Sequence, residues 1–139
     1  MATSPEPSDD LVDLVWTAFE HAFGSIEGGD TLIPFAITET AGERSLMRFV
    51  ADTFEAGIEA GRGQLASLSP RPERAVLAFD GYVTTKEGRS DAIYVEAQDA
   101  GQSGFIFFMR YKPAKGLLRR KPTPLDKNPV LADEAPGFF

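Results

Sequence analysis

The chain has no cysteine, only one histidine, and no apolar run of the roughly 18 residues that a membrane helix needs. The lack of cysteine excludes a disulfide framework and thiolate metal sites, and a single histidine cannot build a histidine-rich metal site. The first ten residues lack the basic and apolar regions of a secretory signal. We therefore expect a cytoplasmic protein with no cofactor, no metal ion and no membrane contact.

Positive charge is scarce in the first part of the chain. The net charge is −7, and residues 1–61 carry 2 basic and 12 acidic side chains, whereas residues 62–139 carry 12 basic and 9 acidic ones. A nucleic-acid-binding surface requires clustered positive charge, so this balance argues against a nucleic-acid partner. We interpret the basic cluster between Arg110 and Lys121 as a connector that carries the tail toward acidic surface.

Hydrophobic periodicity predicts two helices and five strands. Apolar residues recur at helical spacing in residues 10–23 and 51–69, and strand-like runs occupy residues 31–38, 44–51, 74–84, 91–98 and 104–111. Gly57 and Gly61 lie four residues apart on the packing side of the second helix. Because glycine weakens a helix, this pair predicts a close approach to another backbone.

The order α-β-β-α-β-β-β predicts a single α+β domain over residues 9–112. We expect a mostly antiparallel five-stranded sheet with two helices on one face. Residues 1–8 are predicted to be disordered, and residues 113–139 to form an irregular, proline-rich tail, first basic and then acidic, that packs on the domain or on a partner. The layout resembles profilin-like and roadblock-like domains in the order of its elements, without a shared residue motif.

The last three strands predict one apolar face and one mixed face. A register that places Asp80 opposite Tyr94, and Tyr94 opposite Phe108, gives a face of aromatic rings and charges away from the helices. Contiguous exposed aromatic surface marks an interaction site, so we expect the tail, a second copy or a ligand to cover this face. The predicted ligand- or partner-binding residues are Asp80, Tyr82, Tyr94, Glu96, Phe108 and Arg110.

No nucleophile elbow, phosphate-binding glycine loop or metalloprotease helix is present in the sequence. Asp80 and Glu96 are the best candidates for a carboxylate pair, which can divide acid and base roles or hold a hard cation. The plainer interpretation is that Asp80 marks a bulge and that Glu96 is solvated or ion-paired. No catalytic residue is therefore assigned.

The first functional hypothesis is a non-enzymatic protein that works through protein–protein contacts, as a homodimer or in a hetero-complex. One alternative is a small-ligand sensor or binding domain with the tail as its lid. The other is a hydrolase or metal-assisted enzyme that uses Asp80 and Glu96.

Overall fold

The computed structural model describes residues 5–27, 30–113 and 121–139. Within these ranges the chain forms two helices and seven strands. They are α1 (Asp9–Ser25), β1 (Phe35–Thr40), β2 (Glu43–Arg48), α2 (Phe54–Ala66), β3 (Arg74–Thr85), β4 (Gly88–Asp99), β5 (Gly104–Lys112), β6 (Thr123–Pro124) and β7 (Val130–Ala135).

All seven strands join one antiparallel sheet, which confirms the α+β class. The strand order is β2-β1-β3-β4-β5-β6, and β7 also pairs with β5. The predicted count of five strands is wrong, because two segments of the tail add strands along the edge of β5. Thr123–Pro124 is too short to give a periodic signal, and Val130–Ala135 contains small and acidic residues that are poor strand formers.

The two helices lie on opposite faces of the sheet, so the prediction that they share one face is wrong. Val76 and Ala78 of β3 pack in the cluster that contains the buried side of α1, whereas Leu77 packs with Leu65 of α2. Alternate residues of a strand point to opposite faces. A strand covered on both faces is apolar throughout, and hydrophobicity does not reveal which helix covers which side.

Helix α2 lies close to the sheet at the two glycines. An added Cβ at Gly57 would come 2.8 Å from the carbonyl oxygen of Phe49, and one at Gly61 would come 2.7 Å from a methyl group of Leu77. The predicted close approach to another backbone is confirmed at Gly57. At Gly61 the neighbouring group is a side chain.

The register of β5 explains how this strand can be apolar on both sides. Phe105, Phe107 and Met109 point into the core under α1 and are buried. The alternate residues Ile106 and Phe108 point to the other face and are only half-buried. The apolar sequence of β5 therefore supplies one covered surface and one that is partly open.

Some predictions concern residues outside the described ranges. Residues 1–4, half of the predicted disordered start, and residues 114–120, most of the basic segment, belong to this group. Residues 5–8 form no helix or strand, and the Ser8 hydroxyl accepts a hydrogen bond of 3.1 Å from the Leu11 amide, which caps α1.

No described helix is both long and apolar enough to cross a membrane.

Candidate functional site

Three aromatic rings form a row across β3, β4 and β5 on the α2 side of the sheet. Phe79, Tyr94 and Phe108 lie opposite one another, and Ile106 follows on β5. The rings of Phe79 and Tyr94 stack with centroids 5.8 Å apart and planes at 13°, and those of Tyr94 and Phe108 are 6.0 Å apart. We call these four side chains the aromatic face.

No described helix covers most of this face. Helix α2 packs on β1 and β3, where Leu65 belongs to one buried cluster with Ala36, Ala75 and Leu77. The part of the sheet formed by β4 and β5 lies to one side of α2, and the four members of the aromatic face stay half-buried. The aromatic face is therefore a partly open apolar surface beside a helix.

The charged side chains at the border of the aromatic face are paired within the chain. Arg62 of α2 donates to both carboxylate oxygens of Glu96, at 3.0 and 2.5 Å, and also to Glu59. This pairing bears out the plainer interpretation of Glu96 as an ion-paired strand residue. At the opposite border, Arg110 makes a two-pronged hydrogen bond to Asp126, and that arginine holds the pKa of the Asp126 carboxyl below its usual value.

The end of the chain docks beside this surface. The backbone amides of Phe138 and Phe139 donate to the side-chain oxygen of Gln98, at 2.6 and 3.0 Å, and Gln98 is 3 % exposed. Both rings pack in the cluster of Leu65 and Leu77. A cleft of about 390 Å³ remains between α2, the sheet and this chain end. The tail thus covers one end of the face and leaves the row of rings half-open.

The other candidate lies on the α1 side, where Asp80 and Tyr111 meet. The Tyr111 hydroxyl donates to the Asp80 carboxylate at 2.8 Å, and the pair lines a cleft of about 340 Å³ together with Ile26 and Asp91. Burial raises the pKa of Asp80, and the hydrogen bond from Tyr111 opposes that shift. Burial, and then the Asp80 carboxylate, raise the pKa of Tyr111.

The six predicted site residues therefore divide between two faces. Tyr94, Glu96, Phe108 and Arg110 share one face, as expected, and the pairing of Tyr94 with Phe108 is confirmed. The prediction that this face points away from both helices is wrong, because α2 lies on the same side and its Arg62 bonds Glu96. The predicted pairing of Asp80 with Tyr94 is wrong, because Asp80 lies opposite Ile93 and Tyr94 lies opposite Phe79.

The misplaced register has a simple physical origin. Thr85 pairs with Gly88, so the loop between β3 and β4 contains only two residues, and a pairing of Asp80 with Tyr94 requires one more. A shift by one residue moves a side chain to the other face. Asp80 and Glu96 consequently lie on opposite faces, and the hypothesis that these carboxylates act together is wrong.

Tyr82 lies on the same face as Asp80, opposite Asp91, and is 55 % exposed. The Arg89 guanidinium sits 3.7 Å from the centre of its ring, a cation–π contact. The backbone carbonyl of Tyr82 links it to the aromatic face, because it accepts a hydrogen bond of 2.8 Å from the Tyr94 hydroxyl.

Five residues that matter at these sites were missed in the sequence: Arg62, Phe79, Gln98, Tyr111 and Asp126. A two-residue loop between β3 and β4 would have placed Phe79 beside Tyr94. The contacts of Arg62 and Gln98 join residues 34 and 40 positions apart, and no local pattern reveals such pairs. Among the described residues, no group of three or more histidine or acidic side chains is arranged to hold a metal ion.

Comparison of the chain with protein-family models, with curated proteins and with solved structures gave no match. The likeness to profilin-like and roadblock-like domains consequently stays a comparison of element order.

Proposed function

We propose that this chain is a non-enzymatic protein that works through protein–protein contacts, and that a second copy occupies the aromatic face. The observation that carries the proposal is the half-open row of Phe79, Tyr94 and Phe108 beside α2. Exposed contiguous aromatic surface is typical of interaction sites. We propose the cytoplasm as its location.

A second copy suits this surface because its charged border is already neutralised. Glu96 is paired with Arg62, and Arg110 with Asp126. Two such faces can approach around a twofold axis without bringing unpaired like charges together. Full burial of an exposed ring contributes about 1.5–3 kcal/mol, and these rings are already half-buried, so each contributes a part of that amount and several rings from each copy act together.

The test is the molar mass of the full chain at tens of micromolar, measured by light scattering. We expect twice the mass of one chain, and we expect Phe108→Asp to reduce the mass to that of one chain. The matched control is Tyr82→Asp, which places the same charge on the opposite face, where Arg89 can neutralise it. A full chain of monomer mass, or a folded Phe108→Asp variant that keeps the doubled mass, contradicts the proposal.

Small-ligand binding is the second candidate, and it is favoured by the cleft at Asp80 and Tyr111. Its volume of about 340 Å³ lies within the range of natural ligand pockets, and Pro122 of the tail contributes to its wall. The test is a thermal-shift screen of small ligands on the full chain and on Tyr111→Ala. A hit that stabilises both equally excludes the cleft as the site.

A further inference from the structure

Strand β2 forms one edge of the sheet, and it has neither the bulge nor the flanking prolines found at the opposite edge. The opposite edge strand, β7, has a bulge between Leu131 and Asp133 and lies between Pro129 and Pro136. Bulges, prolines and short length discourage a further strand from pairing. In contrast, β2 pairs with β1 over six consecutive residues without a shift and contains no proline.

The hairpin geometry determines which backbone groups of β2 face outward. Ala41 and Gly42 form a two-residue turn with φ of 52° and 78°, and the Phe49 amide donates to the Pro34 carbonyl at 2.9 Å. Hydrogen-bonded pairs alternate along an antiparallel ladder, so residues 43, 45, 47 and 49 face β1. The amide and carbonyl groups of Arg44, Leu46 and Arg48 therefore point away from the sheet, and no described strand pairs with them.

The side chains along this edge are charged at some positions and apolar at others. Arg44 and Arg48 are the only basic residues among the first 61. Arg44 is paired with Glu39 at 2.6 Å, whereas Arg48 has no carboxylate partner among the described residues. Leu46 is 37 % exposed, and beyond the end of the strand Val50 is 81 % exposed.

We propose that β2 is a docking edge for an extended segment of another protein, which adds a strand to the sheet. The side chains of this added segment at alternate positions are apolar, acidic and apolar, and they lie opposite Leu46, Arg48 and Val50. The outward backbone groups of Arg44, Leu46 and Arg48 provide the hydrogen bonds, and the carboxylate neutralises Arg48. This site is distinct from the aromatic face.

Charge disfavours a second copy as the occupant of this edge. An antiparallel twofold pairing with Leu46 opposite its own copy places Arg44 directly opposite Arg48. A shift of two residues in either direction places an arginine diagonal to its own copy. Like charges at these positions destabilise a sheet, whereas one acidic side chain from a different protein fits Arg48.

The probe is a synthetic seven-residue peptide in which threonine alternates with valine, glutamate and valine. We expect an NMR titration of the full chain to shift the amide signals of Arg44, Leu46 and Arg48 and to slow their hydrogen exchange. Methylation of the peptide amides that face β2 should abolish binding, and methylation of the alternate amides should retain it. Equal effects of the two methylated peptides contradict strand addition.

Charge reversal at Arg48 tests the recognition. Arg48→Glu is expected to weaken binding of the glutamate peptide by up to about tenfold and to favour the peptide that carries lysine instead. The matched control, Lys127→Glu, lies near the opposite edge of the sheet and should bind like the parent chain. Slow exchange of the three amides in the free protein, with a doubled mass that Phe108→Asp leaves unchanged, identifies a second copy as the occupant of this edge and overturns the proposal. Phe108→Asp should leave peptide binding unchanged, which separates this result from the test of the aromatic face.

Discussion

At the scale of single residues, the three glycines of α2 have different surroundings. Adding a Cβ atom to each of them therefore has different consequences for stability. An added Cβ at Gly57 meets the backbone oxygen of Phe49 at 2.8 Å, whereas one at Gly63 meets nothing within 4 Å. The backbone of Phe49, which directly follows β2 and donates to the Pro34 carbonyl, yields little, in contrast to the methyl group of Leu77 that faces Gly61. The sequence indicated a close approach of another backbone at Gly57 and Gly61, but it could not show which neighbour each glycine contacts.

This difference predicts opposite effects of the same substitution. Gly57→Ala should lower the free energy of unfolding by about 1–3 kcal/mol, because the helix must move away from β2. Gly63→Ala should raise it by about 1 kcal/mol through helix propensity. Urea unfolding of both variants measures the effect, and a stabilised Gly57→Ala variant contradicts the close packing.

The Asp80–Tyr111 pair predicts a specific dependence of stability on pH. The folded-state pKa of Asp80 is raised above its ordinary value of 3.8. The folded chain therefore holds this proton more tightly than the unfolded chain, and the resulting stability is present below that value and is lost as the pH rises through the raised pKa. Asp80→Asn should gain stability relative to the parent chain as the pH rises from about 4 to 7.

Tyr111→Phe provides the complementary measurement. It removes a hydrogen bond that favours the ionised carboxylate, so the pKa of Asp80 should rise further and the loss of stability with pH should become steeper. Thermal unfolding at a series of pH values measures both variants. An unchanged profile for Tyr111→Phe would show that the hydroxyl does not act on Asp80.

At the scale of elements, local patterns located the helices and the long strands but not their arrangement. The periodicity of α1 and α2 and the pairing of β4 with β5 were predictable, since each depends on neighbouring residues. The side of the sheet that each helix covers depends on contacts between β3 and helices distant in sequence. For a strand that is apolar on both faces, the hydrophobic pattern favours neither side.

The β3–β4 hairpin shows that the candidate site could have been predicted better. The two-residue loop contains Lys86 and Glu87, and that loop length by itself sets the register. A correct register separates Asp80 from Glu96 and adds Phe79 to the row of rings. The docking of Phe138 on Gln98 could not be predicted in this way, because no repeating pattern connects residues 40 positions apart.

At the scale of the whole molecule, the tail completes the sheet at the strand with the most apolar sequence. Strand β7 pairs along β5, and the bulge of β7 and the acidic residues Asp133 and Glu134 form the new edge. Without β7, most of the β5 edge would be exposed, in a strand that is apolar on both faces. Such an edge readily pairs with another chain.

A chain that ends at Pro129 is therefore expected to associate more than the full chain. It loses β7 and exposes β5, so light scattering should show species larger than those of the full chain, and solubility should fall. A chain that ends at Ala135 is the matched control, because it keeps β7 and loses only the last four residues, which include Phe138 and Phe139. This control should keep the mass of the full chain while its free energy of unfolding decreases. If the chain ending at Pro129 stays soluble and has the same mass as the full chain, β7 does not protect the edge of β5, and the tail acts mainly through its final phenylalanines.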